Sequence, residues 1–453
     1  MQESTSQVKG TKRFSSRPRK FTVALDGEGI ANHVGSLALR ELIDSVGFTQ
    51  ALSAALPTPA RSRAGYDPAE VIRDLVVMLA DGGRFVSDLG SLRDQPRLFG
   101  EVASTATAWR VLARRMGEQD LERLRSARRR ARAGAWRLGA APKQNVLDLD
   151  ATLVNAHSDK ESAGPNFKHG YGFHPIVCYL EETQEALAGK LRPGNAAPNH
   201  AGDNIEVLEM ALAQLPNRPS GQTLLRGDSA CASFALLRRA RELGLRFSVS
   251  LDLFGWVREA ILNTSESAWK EAISQDGEPR EGAAVGELES PELRSWPSGT
   301  RAICRRERPH PGAQLRFTDA NGYRFQVFIT DQSDEDIVQL ETRHRARARA
   351  ENRIRCAKDT GLENFPFHDF LPNQLWLELV LAAQDAIAFF QRLCLAGPAQ
   401  SWDPKTLRYR LFHTAARIVR GGRRLILRLQ RDWRWAPILY DAFHRLQRLA
   451  VAV

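Results

Sequence analysis

The sequence predicts an α/β protein in which a mixed sheet carries packed helices and follows a helical, basic N-terminal part. Apolar residues recur at helical spacing as far as about residue 140. The pattern then switches to period two in NVLDLDATLVNA (145–156), and strand and helix signals alternate after it. With 453 residues, 43% of them hydrophobic, the chain is long enough for two or three domains with real cores.

Residues 1–20 are expected to form a flexible basic tail, and FTVAL (21–25) is a short apolar lead into helix. YDPAEVIRDLVVMLADGG (66–83) has a full helix signature. Asp67 caps, Pro68 takes the first turn, Glu70 completes a capping-box arrangement, and Gly82 and Gly83 end the helix. The stretch from Ser104 to Arg137 continues as helix with a heavy arginine load, so residues 21–140 read as a helical N-terminal DNA-binding domain.

The core follows, over residues 141–364. Strands are expected at 145–156, at FHPIVCYL (173–180) and around EALAGKLR (185–192). A helix DNIEVLEMALAQL (203–215), a strand TLLRGD (223–228), a helix SFALLRRARELG (233–244) and a strand RFSVSLD (246–252) complete it. Three strands, helix, strand, helix, strand is the order of a ribonuclease H-like mixed sheet. From 254 to 322 those signals weaken while Gly, Pro, Ser and Trp become common, which predicts a β-rich insertion of short strands and loops. It ends at YRFQVFIT (323–330), and a helix starting near Asp334 then brings Glu351 back to the core. Residues 365–453 read as a basic helical C-terminal region in which ARIVRGGRRLILRLQ (416–430) forms a hairpin turning at Gly421 and Gly422.

Charge narrows the function. Lys and Arg total 64 against 53 Asp and Glu, a net +11 with a pI near 9.7, which favours a polyanionic partner such as nucleic acid. The five cysteines show no CxxC spacing, so neither a zinc site nor a disulfide framework is suggested and a cytoplasmic, nucleoid-associated location is expected. No signal peptide, bilayer-length apolar run, HExxH pattern or GxxxxGK[ST] loop is present.

Asp150 and Asp228 fall at predicted strand ends, where side chains are reachable yet held by a rigid scaffold. Glu351 is the one carboxylate inside HRARARAENRIRCAK (344–358). At roughly 100° per residue, His344, Arg347, Glu351 and Lys358 share one helical face. A surface helix with an Arg347–Glu351 pair explains that stretch alone. Three carboxylates together repel one another unless divalent cations neutralise them, and oxygen ligands suit Mg2+ or Mn2+. Two such ions can activate a water or 3'-hydroxyl and stabilise the leaving oxygen of a phosphodiester.

These residues resemble the Asp-Asp-Glu transposases of bacterial insertion sequences, in the group with a Tyr-x2-Arg-x3-Glu-x6-Lys signature. Arg347, Glu351 and Lys358 stand at those spacings, with His344 in place of the tyrosine; Asp150-Ala151-Thr152 and RGDSA suit the first two acids. The resemblance implies that Asp150, Asp228 and Glu351 are catalytic and hold two Mg2+ or Mn2+ ions. It implies a cut-and-paste DNA transposase that acts on the terminal inverted repeats of its element and on target DNA, as a homodimer in the DNA complex. A non-catalytic or domesticated DNA-binding protein, or a ribonuclease H-like nuclease without strand transfer, are the alternatives.

His344, Arg347 and Lys358 are expected to contact DNA near the cut. Arg110, Arg114, Arg115 and the other arginines up to Arg137, with Arg417, Arg420, Arg423 and Arg424, are expected on its backbone. Asp148 shares a strand face with Asp150 and is the competing ligand. Asp26 and Glu28 are expected in a turn, His169 and His174 in structural roles, and Trp256, Trp269 and Trp296 mostly in core.

Overall fold

A computed structural model describes residues 22–56, 66–157, 159–217, 223–310, 312–314, 319–333, 336–422 and 424–451. The expected basic tail, Asp334 and Arg423 lie outside them.

The N-terminal part is helical, and its longer helices are α1 (Val34–Ser45), α2 (Phe48–Ala55), α3 (Pro68–Asp81), α4 (Thr105–Arg110) and α5 (Glu118–Ala135). The Asp67 carboxylate accepts from the Ala69 amide at 2.9 Å, and Gly82 ends α3 in the left-handed region at φ 113°. The helix expected from Ser104 to Arg137 is interrupted. A wider turn follows α4, and Met116 and Gly117 leave helical geometry before α5 begins.

The core strands are β1 (Asn145–Ala151), β2 (Ile176–Leu180), β3 (Ala186–Lys190), β4 (Thr223–Gly227) and β5 (Arg246–Leu251). Helix α6 (Ala201–Gln214) joins β3 to β4, and α7 (Phe234–Glu242) joins β4 to β5. They lie in the order β3-β2-β1-β4-β5, with β1, β4 and β5 parallel and β2 antiparallel to its neighbours. This is the ribonuclease H-like arrangement the element order predicts.

The segment expected as an insertion of loops and short strands extends that sheet instead. Helix α8 (Gly255–Asn263), unforeseen in the sequence, leads to β6 (Lys270–Ile273), β7 (Pro279–Leu288), β8 (Arg301–Glu307) and β9 (Arg324–Thr330). β9 pairs antiparallel with β5, and β8, β7 and β6 follow outward, giving one sheet of nine strands. Trp256, Trp269 and Trp296 pack against the core beside this extension, as ordinary tryptophans do.

Both faces of the central strands are buried, because helices pack on both sides of the parallel strands β1, β4 and β5. Along β2, Ile176, Cys178 and Leu180 face a core shared with Val207 and Leu208 of α6 and Leu236 of α7. Val177 and Tyr179 face the opposite way, into a larger core with the N-terminal helices and α11 (Phe370–Cys394). Between lie α9 (Ile337–Arg345) and α10 (Arg349–Ala357). Helix α11 is buried nearly all round, and none of the described helices is long and apolar enough to cross a membrane. The lines expected at 140 and 364 thus divide sequence but not packing, because residues from Ala38 to Ala140 and from Ile354 to Leu446 share one core.

Charge is built into that core. Arg128 and Arg132 of α5 are buried, Arg128 against Glu378 at 2.6 Å and Asp385 at 2.9 Å, Arg132 against Asp385 at 2.7 Å and Glu185 at 2.6 Å. These two arginines, expected on a DNA-facing surface, therefore hold α5 to α11 and the sheet. The hairpin is present as β10 (Ala416–Gly421) and β11 (Arg424–Leu429), turning at Gly422 with φ 62°. A two-residue strand, Ile30–Ala31, pairs with β10, and α12 (Ala436–Val451) closes the chain.

Candidate active site

The parallel register pairs Leu149 of β1 with Gly227 of β4, so Asp150 and Asp228 come next, side by side at two neighbouring strand ends. Asp150 is largely buried, and its Oδ1 accepts from the Ala151 amide at 2.8 Å. Asp228 caps the turn Ser229–Cys231 by accepting from the Ala230 amide at 3.1 Å. Glu351, exposed on α10, lines the same cleft as Asp228.

The helix that carries Glu351 is not continuous. After α9 a tight turn, Ala346–Ala348, resets the chain before α10 starts. Arg347 lies in that turn and directs Nη1 to Asp150 Oδ2 at 3.4 Å. The expected Arg347–Glu351 pair is absent among the described residues.

Burial pushes the Asp150 carboxyl up to about 6. The charge of Asp228 adds to this and Glu351 adds a smaller push, while Arg347 and the Ala151 amide oppose it. The three carboxylates thus feel one another, although the one described set of potential ligands within 4.8 Å of each other is His33, Asp81 and His413. Carboxylates gathered at one cleft, with Arg347 the counter-charge on Asp150, fit a hard divalent cation by the chemistry of their donors. Asp150, Asp228 and Glu351 are the residues that could hold one.

Asp148 is settled differently. It is fully buried between Arg226, at 2.7 and 2.9 Å, and Arg353, at 2.6 Å. The strand register pairs Asp148 with Arg226 directly, so the repeated offset in LDLD and RGD held the signal for this pairing. A second missed residue is Asp252, just past the end of β5 and lining the cleft. The strand pattern RFSVSLD already placed it at a strand end.

Two expected DNA contacts are turned inward. His344 Nδ1 lies 2.9 Å from Ser248 Oγ and its Nε2 3.1 Å from Ser250 Oγ, and its ring stacks on Phe328 with centroids 4.3 Å apart. Burial, then the charges of Arg347 and Arg226, hold its pKa down near 3, so it is a neutral brace between α9 and β5. Lys358 donates to the Leu153 carbonyl at 3.0 Å, which ties the end of α10 to the chain just past Asp150. Its partial burial lowers its pKa.

The remaining expected positions are spread over the surface. Arg110, Arg114 and Arg115 are exposed on and after α4, and Arg417, Arg420 and Arg424 are exposed on the hairpin. His174 is buried with Nδ1 3.0 Å from the Ala196 carbonyl, and His169 sits in a turn at φ 61°.

A family model described as Transposase DDE domain group 1 matches residues 15–451. No curated protein matches the chain. A cryo-EM structure of a piggyBac transposase synaptic complex with hairpin DNA aligns at TM-score 0.44 and 12% identity, over 84% of this chain and 80% of that one.

Proposed function

The chain belongs to the group 1 family of DDE transposase domains, and from that premise we propose that it cuts phosphodiesters at the ends of a bacterial insertion sequence and joins the freed 3' ends to target DNA. The observation that carries this reading is the adjacency of Asp150 and Asp228 at parallel strand ends, with Glu351 close enough to raise the Asp150 carboxyl.

Members of the family use divalent metal ions, and Asp150, Asp228 and Glu351 are the ligands proposed here for two Mg2+ or Mn2+. Bound there, the ions supply a more acidic water or 3'-hydroxyl and charge stabilisation for the leaving oxygen. The chain's own residues do the rest. Asp150 must lose its proton to act as a ligand, and Arg347 holds it towards the anionic form. With Asp150 engaged as a ligand, the Arg347 guanidinium would be free to grip a phosphate beside the cut. His344 and Lys358 set the position of α10, and so of Glu351, from beneath.

Arg110, Arg114, Arg115, Arg417, Arg420, Arg423 and Arg424 would follow the DNA backbone outside the cleft. The helical stretch 21–140 would recognise the terminal inverted repeats, and a homodimer would hold two ends in the nucleoid of the cytoplasm. The test is a gel assay on DNA carrying the element's own ends, with Mg2+ or with a chelator. Cleavage and joined products are expected only with Mg2+. Cleavage without joining would leave a nuclease, and binding without cleavage a DNA-binding protein.

A further inference from the structure

On a different side-chain cluster, His33, Asp81 and His413 bring one potential ligand atom each to within 4.8 Å of the others. His33 precedes α1, Asp81 is the last residue of α3, and His413 follows the helical turn Arg408–Phe412. His33 Nδ1 lies 2.6 Å from Asp81 Oδ2, and His413 Nε2 lies 2.9 Å from the Asp81 carbonyl oxygen, a contact a bound metal would replace, and 3.3 Å from Asp81 Oδ1. The two imidazole centroids are 4.4 Å apart. Asp81 is buried, whereas the histidine side chains are 26% and 42% exposed.

We propose that this cluster is a binding site for one Zn2+, held by His33 Nδ1, an Asp81 carboxylate oxygen and His413 Nε2, with solvent completing the coordination. Two imidazoles and one carboxylate form a borderline donor set that suits zinc and other late first-row ions, in contrast to the all-oxygen cluster around Asp150. Ser36 Oγ donates to Asp81 Oδ1, an outer contact that orients a ligating carboxylate. The nearest cation, Arg408, is engaged by the carbonyls of Leu79, Ala80 and Asp359.

The place of the site in the fold gives it a role. His33 follows the strand Ile30–Ala31 and His413 precedes β10, and these two strands pair with each other. The Val34 amide also donates to the Thr414 carbonyl at 3.1 Å. A metal at this point ties the small sheet that carries Arg417, Arg420 and Arg424 to the end of α3, and so to the main core.

The test uses the full chain with Asp150→Asn, Asp228→Asn and Glu351→Gln, so that the oxygen cluster cannot compete. After chelator treatment and addition of Zn2+, the protein should retain one zinc per chain through gel filtration, and its thermal midpoint should rise by a few degrees with Zn2+ but not with Mg2+. Co2+ in place of Zn2+ should give the visible absorption of a low-coordinate nitrogen–oxygen site. His413→Gln, which keeps a hydrogen-bonding group beside Asp81, and His33→Asn should each lose the zinc, the midpoint shift and the cobalt bands. Full zinc retention in both variants would overturn the proposal. Failure of the parent chain to retain zinc would also overturn it, leaving a hydrogen-bonded clasp.

Discussion

Arg347 reaches across the cleft to Asp150, Nη1 to Oδ2 at 3.4 Å, and not along its own helix to Glu351. The turn at Ala346–Ala348 makes this possible, because a continuous helix would stack Arg347 beneath Glu351. The arginine is therefore placed to govern the ionisation of the first carboxylate.

A pH profile follows from this contact. With its carboxyl raised to about 6 in the metal-free chain, Asp150 must lose its proton to act as a ligand, so cleavage at subsaturating Mg2+ should fall as pH drops towards that range and recover with added Mg2+. Arg347→Ala removes a contribution that lowers the pKa, so the acidic limb should move to higher pH, and Arg347→Lys should move it less. An acidic limb unchanged in Arg347→Ala would remove Arg347 from the control of Asp150.

Linkage gives a second measurement that does not depend on catalysis. A carboxyl raised from its ordinary value of 3.8 to about 6 binds its proton more tightly in the folded chain, so the metal-free protein loses stability as pH rises from about 4 to 6. Asp150→Asn should abolish that loss, which is on the order of 3 kcal/mol at about 1.36 kcal/mol per unit. Denaturant midpoints for both proteins at pH 4.5 and pH 7 test it. A gap between wild type and variant that stays constant with pH would show that the Asp150 carboxyl is not raised.

Asp148 and Asp150 are two residues apart on one strand, yet their substitutions should fail in different ways. Asp148→Ala leaves Arg226 and Arg353 buried without their common partner, which costs about 3–5 kcal/mol. Thermal unfolding should show the loss directly. Asp150→Asn, in contrast, should fold well, bind DNA and fail to cut. An Asp148→Ala protein of wild-type stability would contradict the buried network.

The contrast shows what the sequence made legible. The order of the core strands and the strand-end positions of Asp150 and Asp228 followed from periodicity, because alternation on strands and the 3.6 spacing on helices are local properties. The extension of the sheet by β6 to β9 was not legible, since which edge a strand joins is a long-range choice. For the same reason the arginine count misled. Arg128 and Arg132 lie in phase with Leu121, Leu124, Ala131 and Ala135, unlike Arg129 and Arg130, but the acids that receive them, Glu378 and Asp385 on α11, lie about 250 residues away in the chain. His344 was misplaced because helical phase cannot report the serines of β5 that hold its ring.

Salt dependence separates the two kinds of arginine. Arg417, Arg420 and Arg424 are exposed on one hairpin, so replacing all three by Ala should leave stability nearly unchanged and weaken binding to any DNA sequence. If each contacts one phosphate, the slope of log affinity against log salt should become shallower by about 0.9 per arginine, or nearly 3 in all. Arg132→Ala should do the opposite. It leaves Glu185 and Asp385 short of a buried partner, so the midpoint of unfolding falls while the salt slope of the folded fraction stays as it was. Binding isotherms at several salt concentrations, paired with unfolding curves on the same samples, decide the matter. A hairpin variant with an unchanged slope would move the DNA path to Arg110, Arg114 and Arg115, another exposed basic group.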